Sequence, residues 1–289
     1  MKILVTGGAG FVGTNLIKRL LQEGHEVHSI DNYTTGLESN HQKGCKYYNY
    51  DIRTIHDYTV FGKFDVIFHL AAIARIQPSF QNPEDYFTTN ANATLKLAKC
   101  CSDNNIPLIY AGSSSHHSGK FKNPYTFSKD VGEEVVKLFE MHYGLKATIA
   151  RFYNVYGPHH LKEGGYCTLI GTWEKRIENN ESLIIYGDGT KRRDFTHVQD
   201  IVDALILISQ KNAWGHIFEL GRGKNYSIRD IANMFGKLIS YKEDKPGEAE
   251  ITLCTDTAAR DVLGWEPKLN IEDYINNYLN GKDNIRTTE

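Results

Sequence analysis

Apolar residues in the first half of the chain alternate between short unbroken runs and longer stretches where they recur with helical spacing. Residues 1–6, 25–30, 65–70, 107–111 and 147–152 are the runs, of the kind strands show when both faces are covered. Residues 13–22, with Leu16, Leu20 and Leu21 on one side, and residues 83–103 and 124–143 carry the helical period. Strands and helices in this order predict an α/β fold, a doubly wound parallel sheet with helices on both faces. After Pro158 the pattern loosens, with turns at 163–165 and 187–189 and a helix near 198–209. A smaller C-terminal α/β lobe is expected there. The predicted division is a sheet domain of residues 1–160, with 197–215 returning to it, and a lobe of 161–196 and 216–289.

A chain of 289 residues can bury a large core. Its formal net charge of −2 argues against nucleic acid or an anionic membrane as partner, since both require a dense basic face, and favours a small molecule. No stretch approaches the roughly 18 apolar residues of a membrane span. Thr6, Gly7, Gly8 and Gly10 interrupt the first run before a secretory core could form. Cys45, Cys100, Cys101, Cys167 and Cys254 are scattered without a C-x-x-C pair, which predicts reduced thiols in a cytoplasmic protein. Cys100 and Cys101 point in different directions on a helix, so neither a metal site nor a disulfide is expected of them.

The first chemistry lies between the first run and the first helix. Gly7, Gly10 and Gly13 leave backbone N–H groups bare at a helix N-terminus, where a pyrophosphate can approach. Asp31 ends the second run, where a carboxylate accepts bonds from an adenosine ribose and repels a 2′-phosphate. Together they predict a dinucleotide site that prefers NAD to NADP. Further on, Tyr125 and Lys129 stand one above the other on a helix face, so an ammonium there can pull a phenol down from about 10 toward the working pH. With Ser114 upstream, that is a way to take a proton from a hydroxyl.

These residues belong to a longer set: Thr6-Gly-Gly-Ala-Gly-Phe-Val-Gly13, Asp31-Asn32, Asp51-Ile52, His69-Leu-Ala-Ala72, Asn90, Pro124-Tyr-x-x-Ser-Lys129, Arg151-Phe-x-Asn154, Tyr156-Gly-Pro158, Arg193-Asp-Phe195, Leu263-Gly-Trp265 and Pro267. In this set the chain resembles, over nearly its whole length, the extended short-chain dehydrogenase/reductases that rebuild nucleotide sugars. It is most similar to the UDP-glucose 4-epimerase group. The resemblance implies a Rossmann domain carrying NAD and a lobe that binds a nucleotide sugar. Cofactor contacts are implied for Gly7, Gly10, Phe11, Val12, Gly13, Asp31, Asn32, Leu70 and Phe152, with Asp51 and Ile52 at the adenine, Ala71 and Ala72 behind the cofactor and Asn90 near the nicotinamide ribose. Tyr125 matches the catalytic base, Lys129 the ribose-binding lysine and Ser114 the hydroxyl that bonds the substrate oxygen, with Ser115 beside it in the substrate site. Asn154, Arg193 and Lys245 match diphosphate-contacting positions. Lys191 and Arg192 read as a solvated charge run, and Asp200 as a residue that caps its helix or orders the motif.

The implied chemistry is oxidation at sugar C4, with Tyr125 taking the 4-hydroxyl proton. The ketose can then turn over and regain hydride, lose water across C5 and C6, or decarboxylate. Eliminating members place an Asp-Glu pair directly after the catalytic hydroxyl, and decarboxylases a Glu two positions on; here stand Ser115, His116 and His117. Their absence favours a 4-epimerase of the UDP-glucose or UDP-N-acetylglucosamine type. A dehydratase, decarboxylase or reductase of the same family is the alternative, and a simple NAD-dependent reductase or an NAD-sensing protein without activity is more distant. The chain departs from the family at Ser118, where a Tyr is usual before Gly119, and in a shorter Ser114 to Tyr125 interval that opens the roof of the site. His116 and His117 either supply acid or base there or are exposed loop residues. The resemblance also implies a homodimer, with helices 83–103 and 124–143 pairing through Leu95, Leu97, Ala98, Val131, Val135 and Leu138.

Overall fold

The computed structural model describes residues 1–281. The first half runs β1 (Lys2–Thr6), α1 (Phe11–Gln22), β2 (Glu26–Asp31), β3 (Lys46–Asn49), β4 (Val66–His69), α2 (Ile76–Gln81), α3 (Pro83–Phe87), α4 (Ala93–Asp103), β5 (Leu108–Ser113), α5 (Pro124–Tyr143) and β6 (Ala147–Phe152). The second half runs β7 (Val155–Tyr156), α6 (Leu169–Glu178), β8 (Leu183–Tyr186), β9 (Arg192–Asp194), β10 (Thr196–His197), α7 (Val198–Lys211), β11 (His216–Leu220), β12 (Asn225–Ser227), α8 (Ile228–Met234), β13 (Ile239–Lys242), α9 (Ala258–Leu263) and α10 (Ile271–Leu279).

Strands this apolar must be covered on both sides, and seven of them form one sheet in the order β11-β6-β5-β4-β1-β2-β3. Every pairing in it is parallel. One face packs Ile3, Val5 and Phe218 against Leu16, Leu205 and Leu263 from α1, α7 and α9. The other packs Leu4, Ile67 and Ile149 against Leu97, Val136 and Phe139 from α4 and α5. The winding reverses between β1 and β4, which leaves a crevice at the C-terminal ends of the strands. Three two-stranded ladders, β7 with β10, β9 with β12 and β8 with β13, build the lobe. Its own core holds Trp173, Leu183, Phe195, Phe235, Ile271 and Ile275.

Two boundaries differ from the sequence expectation. Helix 83–103 is broken into α3 and α4 by a wide, π-type turn at Thr88–Asn92. Such a turn aims one side chain off the helical register, here Asn90. The second difference concerns the lobe. β11 pairs with β6, and Ala259, Leu263 and Trp265 pack with α1 and α7, so 216–220 and 258–265 belong to the large domain. Asp200 on α7 explains the return, because its carboxylate accepts from the amides of Lys268 and Leu269, both at 3.0 Å, and its carbonyl from Trp265 Nε1 at 2.8 Å. Among the described residues no helix is long and apolar enough to cross a membrane.

Candidate active site

β1 ends at Thr6 because Gly7 adopts φ 74°, and the reversed chain lets Gly7 donate to the Ile30 carbonyl at 2.8 Å. A Cβ on Gly13 would lie 2.2 Å from the Gly7 oxygen, so α1 enters closer to the turn than any other residue permits. Gly10 caps α1 without a side-chain bond to its first N–H groups, and the first turn has no acid. An uncapped helix end of this kind suits an anion such as pyrophosphate. Asp31 accepts from Ala9 N at 3.0 Å and Tyr33 N at 2.9 Å, one bond per oxygen, which leaves lone pairs for ribose hydroxyls. Burial raises its pKa and the two backbone bonds draw it back. Asn32 bonds Asp51 at 3.1 Å, and the Arg53 guanidinium on Asp51 holds that carboxyl below its ordinary range. These residues fit NAD.

At the other side of the crevice α5 begins at a fixed point. Asn123 caps it by accepting from Thr126 N at 2.8 Å, and Pro124 fills its first turn. The Tyr125 hydroxyl donates to Ser113 Oγ at 3.2 Å. Ser113, not Ser114, is therefore the hydroxyl that touches Tyr125, while Ser114 forms part of the adjacent wall. The run Ser113-Ser114-Ser115 offers one residue type in three successive registers, which hid this from the sequence. Ser115 Oγ is buried with no partner among the described residues. Lys129 also departs from expectation, since its Nζ donates to the Ala111 carbonyl at 2.6 Å and lies 4.3 Å over the Tyr110 ring. Burial pushes the Lys129 ammonium down to about 8. Burial raises the Tyr125 phenol, and what opposes it is the Ser113 hydroxyl and the charge of Arg75.

One cavity of about 1030 Å³ joins the glycine turn, Tyr125 and the lobe. Its wall holds every expected cofactor and substrate residue except Lys129 and Asn90. Asn90, expected near the nicotinamide ribose, braces the loop behind the wall: its amide accepts from Ile73 N at 2.9 Å and donates to Ile73 O at 2.9 Å and Ser128 Oγ at 3.0 Å. His116 and His117 are not on the wall either; each is tied at 2.9 Å to a buried carboxylate, Asp130 and Glu219 respectively. They serve the packing of the loop rather than the cavity.

At the lobe end Asn154, with φ 29°, donates to the Asp194 carbonyl and Thr252 Oγ1, both at 2.9 Å. Arg193 donates to the Arg192 carbonyl at 3.0 Å and stands 3.5 Å from Glu248. Lys245 Nζ sits 3.6 Å above the Tyr186 ring. The charge run beside them is not solvated as expected. Lys191 pairs with Asp244 at 2.7 Å on the cavity wall, and Arg192 bonds Asn225 Oδ1 at 2.8 Å. Ser113, Arg75, Tyr166 and Glu248 also line the site, and no spacing in the sequence marked them.

Strand order, and a cavity running from the first strand–helix turn to a lobe assembled from distant segments, define a Rossmann-fold enzyme that holds a dinucleotide in one domain and a second ligand beneath the other. More narrowly, residues 3–221 match the NAD dependent epimerase/dehydratase family, and the chain belongs to that family. Its cofactor is NAD. The UDP-glucuronate 4-epimerase of Thermodesulfobacterium geofontis is 31% identical, over 98% of this chain and 96% of its own. UDP-glucuronic acid decarboxylase 1 of Xenopus tropicalis is 27% identical, over 95% of this chain and 70% of its own. The crystal structure of Thermotoga maritima UDP-glucose 4-epimerase with UDP-glucose matches with a TM-score of 0.89 at 27% identity, covering 97% of this chain and 98% of that one.

Proposed function

We propose that the protein is a nucleotide-sugar 4-epimerase. The observation that carries this reading is that Tyr125 faces serine hydroxyls in a cavity whose carboxylates are all committed elsewhere. Among the described residues, Asp31 is held by backbone amides, Asp51 and Asp85 by Arg53, Asp244 by Lys191, and Glu248 by Gln77 and Arg193. No acid is left to remove a C5 proton or expel a 6-hydroxyl, as dehydration requires. Epimerisation requires neither.

Bound NAD supplies a reversible hydride acceptor at sugar C4. The residues proposed to hold it are Gly7, Gly10, Gly13 and Asp31, with Asp51 and Ile52 at the adenine. Tyr125 takes the proton of the 4-hydroxyl and later returns one, while Ser113 and Ser114 donate to the oxygen as it gains carbonyl character. Lys129 fastens α5 to the end of β5 and stays the proposed ribose ligand. Asn154, Arg193 and Lys245 grip the diphosphate, so the sugar can turn over while its nucleotide stays fixed.

The relatives' names include 4-epimerases of UDP-glucose and UDP-glucuronate and also a decarboxylase, so the test reads the fate of C4, C5 and C6 together. A panel of nucleotide sugars deuterated at C4 is incubated with the NAD-loaded protein and followed by NMR. The expected product is a 4-epimer that keeps its label and takes no solvent hydrogen at C5. Exchange at C5 would make the protein a dehydratase, and a pentose product a decarboxylase.

A homodimer is proposed on the α4 and α5 side, where Leu95, Leu138 and Met141 are 42%, 46% and 77% exposed. Leu97 and Ala98, expected on that face, are instead in the core. Light scattering at micromolar protein tests this, and a monomeric mass would remove it.

A further inference from the structure

The cavity wall carries six cations, and four of them are paired with acids. Arg53 is paired with Asp51 and Asp85, Arg176 with Glu181, Lys191 with Asp244 and Arg193 with Glu248. Lys245 rests on the Tyr186 ring at the end proposed for the diphosphate. Arg75 shares the wall with Tyr125, and Tyr86, whose ring packs on Tyr125 at 6.2 Å, bonds the Arg75 carbonyl. It has no acid: among the described residues no carboxylate comes within 4.0 Å of it.

Its placement is specific. Arg75 is half-buried between β4 and α2, and only its Nε is engaged, donating to the Tyr166 carbonyl at 3.1 Å. Both terminal nitrogens of the fork are free of hydrogen bonds among the described residues. The backbone carries φ 109°, a conformation that side chains other than glycine rarely adopt, and the Tyr86 hydroxyl fixes it by donating to the Arg75 carbonyl at 2.8 Å. Strain of this kind persists only where the surroundings enforce it, and it clusters at sites that bind ligand. The Asn90 amide, bonded to both backbone groups of Ile73, holds the same loop two residues earlier.

A planar fork of free N–H donors matches a carboxylate bidentately, and a cation removed from water without a counter-charge gains most from an acid that arrives with the ligand. The diphosphate has its own cations at the lobe end. Near Tyr125 the ligand atoms are those of the sugar. We propose that Arg75 binds a carboxylate carried by the sugar, so that the substrate is a nucleotide-linked acidic sugar. This rests on the 4-epimerase reading for where the sugar sits, and it departs from a neutral glucose or N-acetylglucosamine substrate. Two sources of the carboxylate share this chemistry, C6 of a uronic acid and a lactyl ether on C3.

Binding separates this proposal from the reaction. NAD-loaded protein carrying Tyr125→Phe, which stops turnover, is titrated calorimetrically with UDP-glucuronate, UDP-N-acetylmuramate, UDP-glucose and UDP. One of the two acidic ligands is expected to bind at least about tenfold more tightly than UDP-glucose, and which one identifies the source of the carboxylate. Adding Arg75→Met is expected to lower the ratio of acidic to neutral affinity by about 30-fold, with Arg75→Lys recovering part of it. If the Met variant does not fold at φ 109°, Arg75→Gly removes the charge with a backbone that favours that conformation. UDP-glucose binding as tightly as both acids overturns the proposal. So does an Arg75→Met loss as large for UDP as for the acidic sugars, which would place the guanidinium on the diphosphate. Retained acid preference in this titration, with no 4-epimer formed from the preferred sugar by protein that keeps Tyr125, would instead sink the epimerase reading and leave Arg75 in place.

Discussion

At the cofactor end the cavity wall is built on the ends of the sheet: the Gly7 to Gly13 turn, the end of β2 at Asp31 and the chain leaving β4 at Leu70, Ala71 and Ala72. At the substrate end it is side chains, with Arg75, Asn154, Arg193 and Lys245 reaching in from four separate segments. The first wall is fixed by the winding of one sheet, since parallel strands must end together where the order reverses. The second depends on loops held in uncommon conformations, with φ 109° at Arg75 and 29° at Asn154, and on small pairings that bring Arg192 beside Ser227 and Ile251. The contrast implies that the cofactor end cannot change without disturbing the fold, whereas the substrate end can be altered residue by residue.

Tyr125, where the two ends meet, should show the largest effect. Tyr125→Phe removes the proton acceptor and keeps the ring that packs edge-on to Tyr86 at 6.2 Å. Turnover is expected to fall by about 10²- to 10⁴-fold while NAD affinity, carried by the wall at the strand ends, stays unchanged. Stopped-flow measurement of cofactor reduction together with calorimetry checks both parts. A near-normal rate would remove Tyr125 as the base, and a parallel loss of NAD would show that the two ends are not separately built.

The same contrast explains what the sequence could show. Gly7, Gly10, Gly13 and Asp31 were legible because a turn between a strand and a helix, and a carboxylate at the next strand end, lie within one local unit whose geometry spacing alone dictates. The pairing of Tyr125 with Lys129 one helical turn on was legible for the same reason, but not that the Lys129 ammonium turns to the Ala111 carbonyl. That Ser113 is the hydroxyl bonded by Tyr125 was not legible, because a serine run does not reveal which member the strand end turns toward the tyrosine. Arg75 was missed altogether, since neither a positive φ at a long side chain nor the lack of a partner acid leaves a mark in the pattern. The bonds of Asn90 to Ile73 were not legible, because the wide turn at Thr88–Asn92 looks, in sequence, like ordinary helix. The return of β11 was missed because a short strand after an irregular segment does not say which sheet it joins.

A matched pair of substitutions tests the separation at intermediate size. In Gly13→Ala the added methyl meets the Gly7 oxygen, which is backbone and cannot swing aside. Melting should show destabilisation of about 1–3 kcal/mol, with loss of copurified NAD. Arg193→Met removes a guanidinium from the wall, where its ion pair with Glu248 is long, so stability should hardly change. Its KM for a nucleotide sugar should rise by about 10- to 100-fold with kcat within a few-fold. If Gly13→Ala kept its stability, or Arg193→Met lost its own, the distinction between an end built on the sheet and an end built on loops would fail.

The smallest effect concerns Lys129, which belongs to the large domain although it is not on the wall. Burial pushes its ammonium down to about 8, below the value of about 10.4 for an unfolded chain. The folded protein therefore releases a proton that the unfolded chain keeps between those two values. The stability tied to this group is fully present above the unfolded value and is lost as pH falls through about 8. Between pH 8 and 9, urea unfolding of the cofactor-free protein should show a gain of about 1 kcal/mol from this residue, and Lys129→Met should flatten that slope. An unchanged slope in the variant would mean that Lys129 titrates as an exposed amine, and that its bond to Ala111 does not tie the base-bearing helix to β5 as the geometry implies.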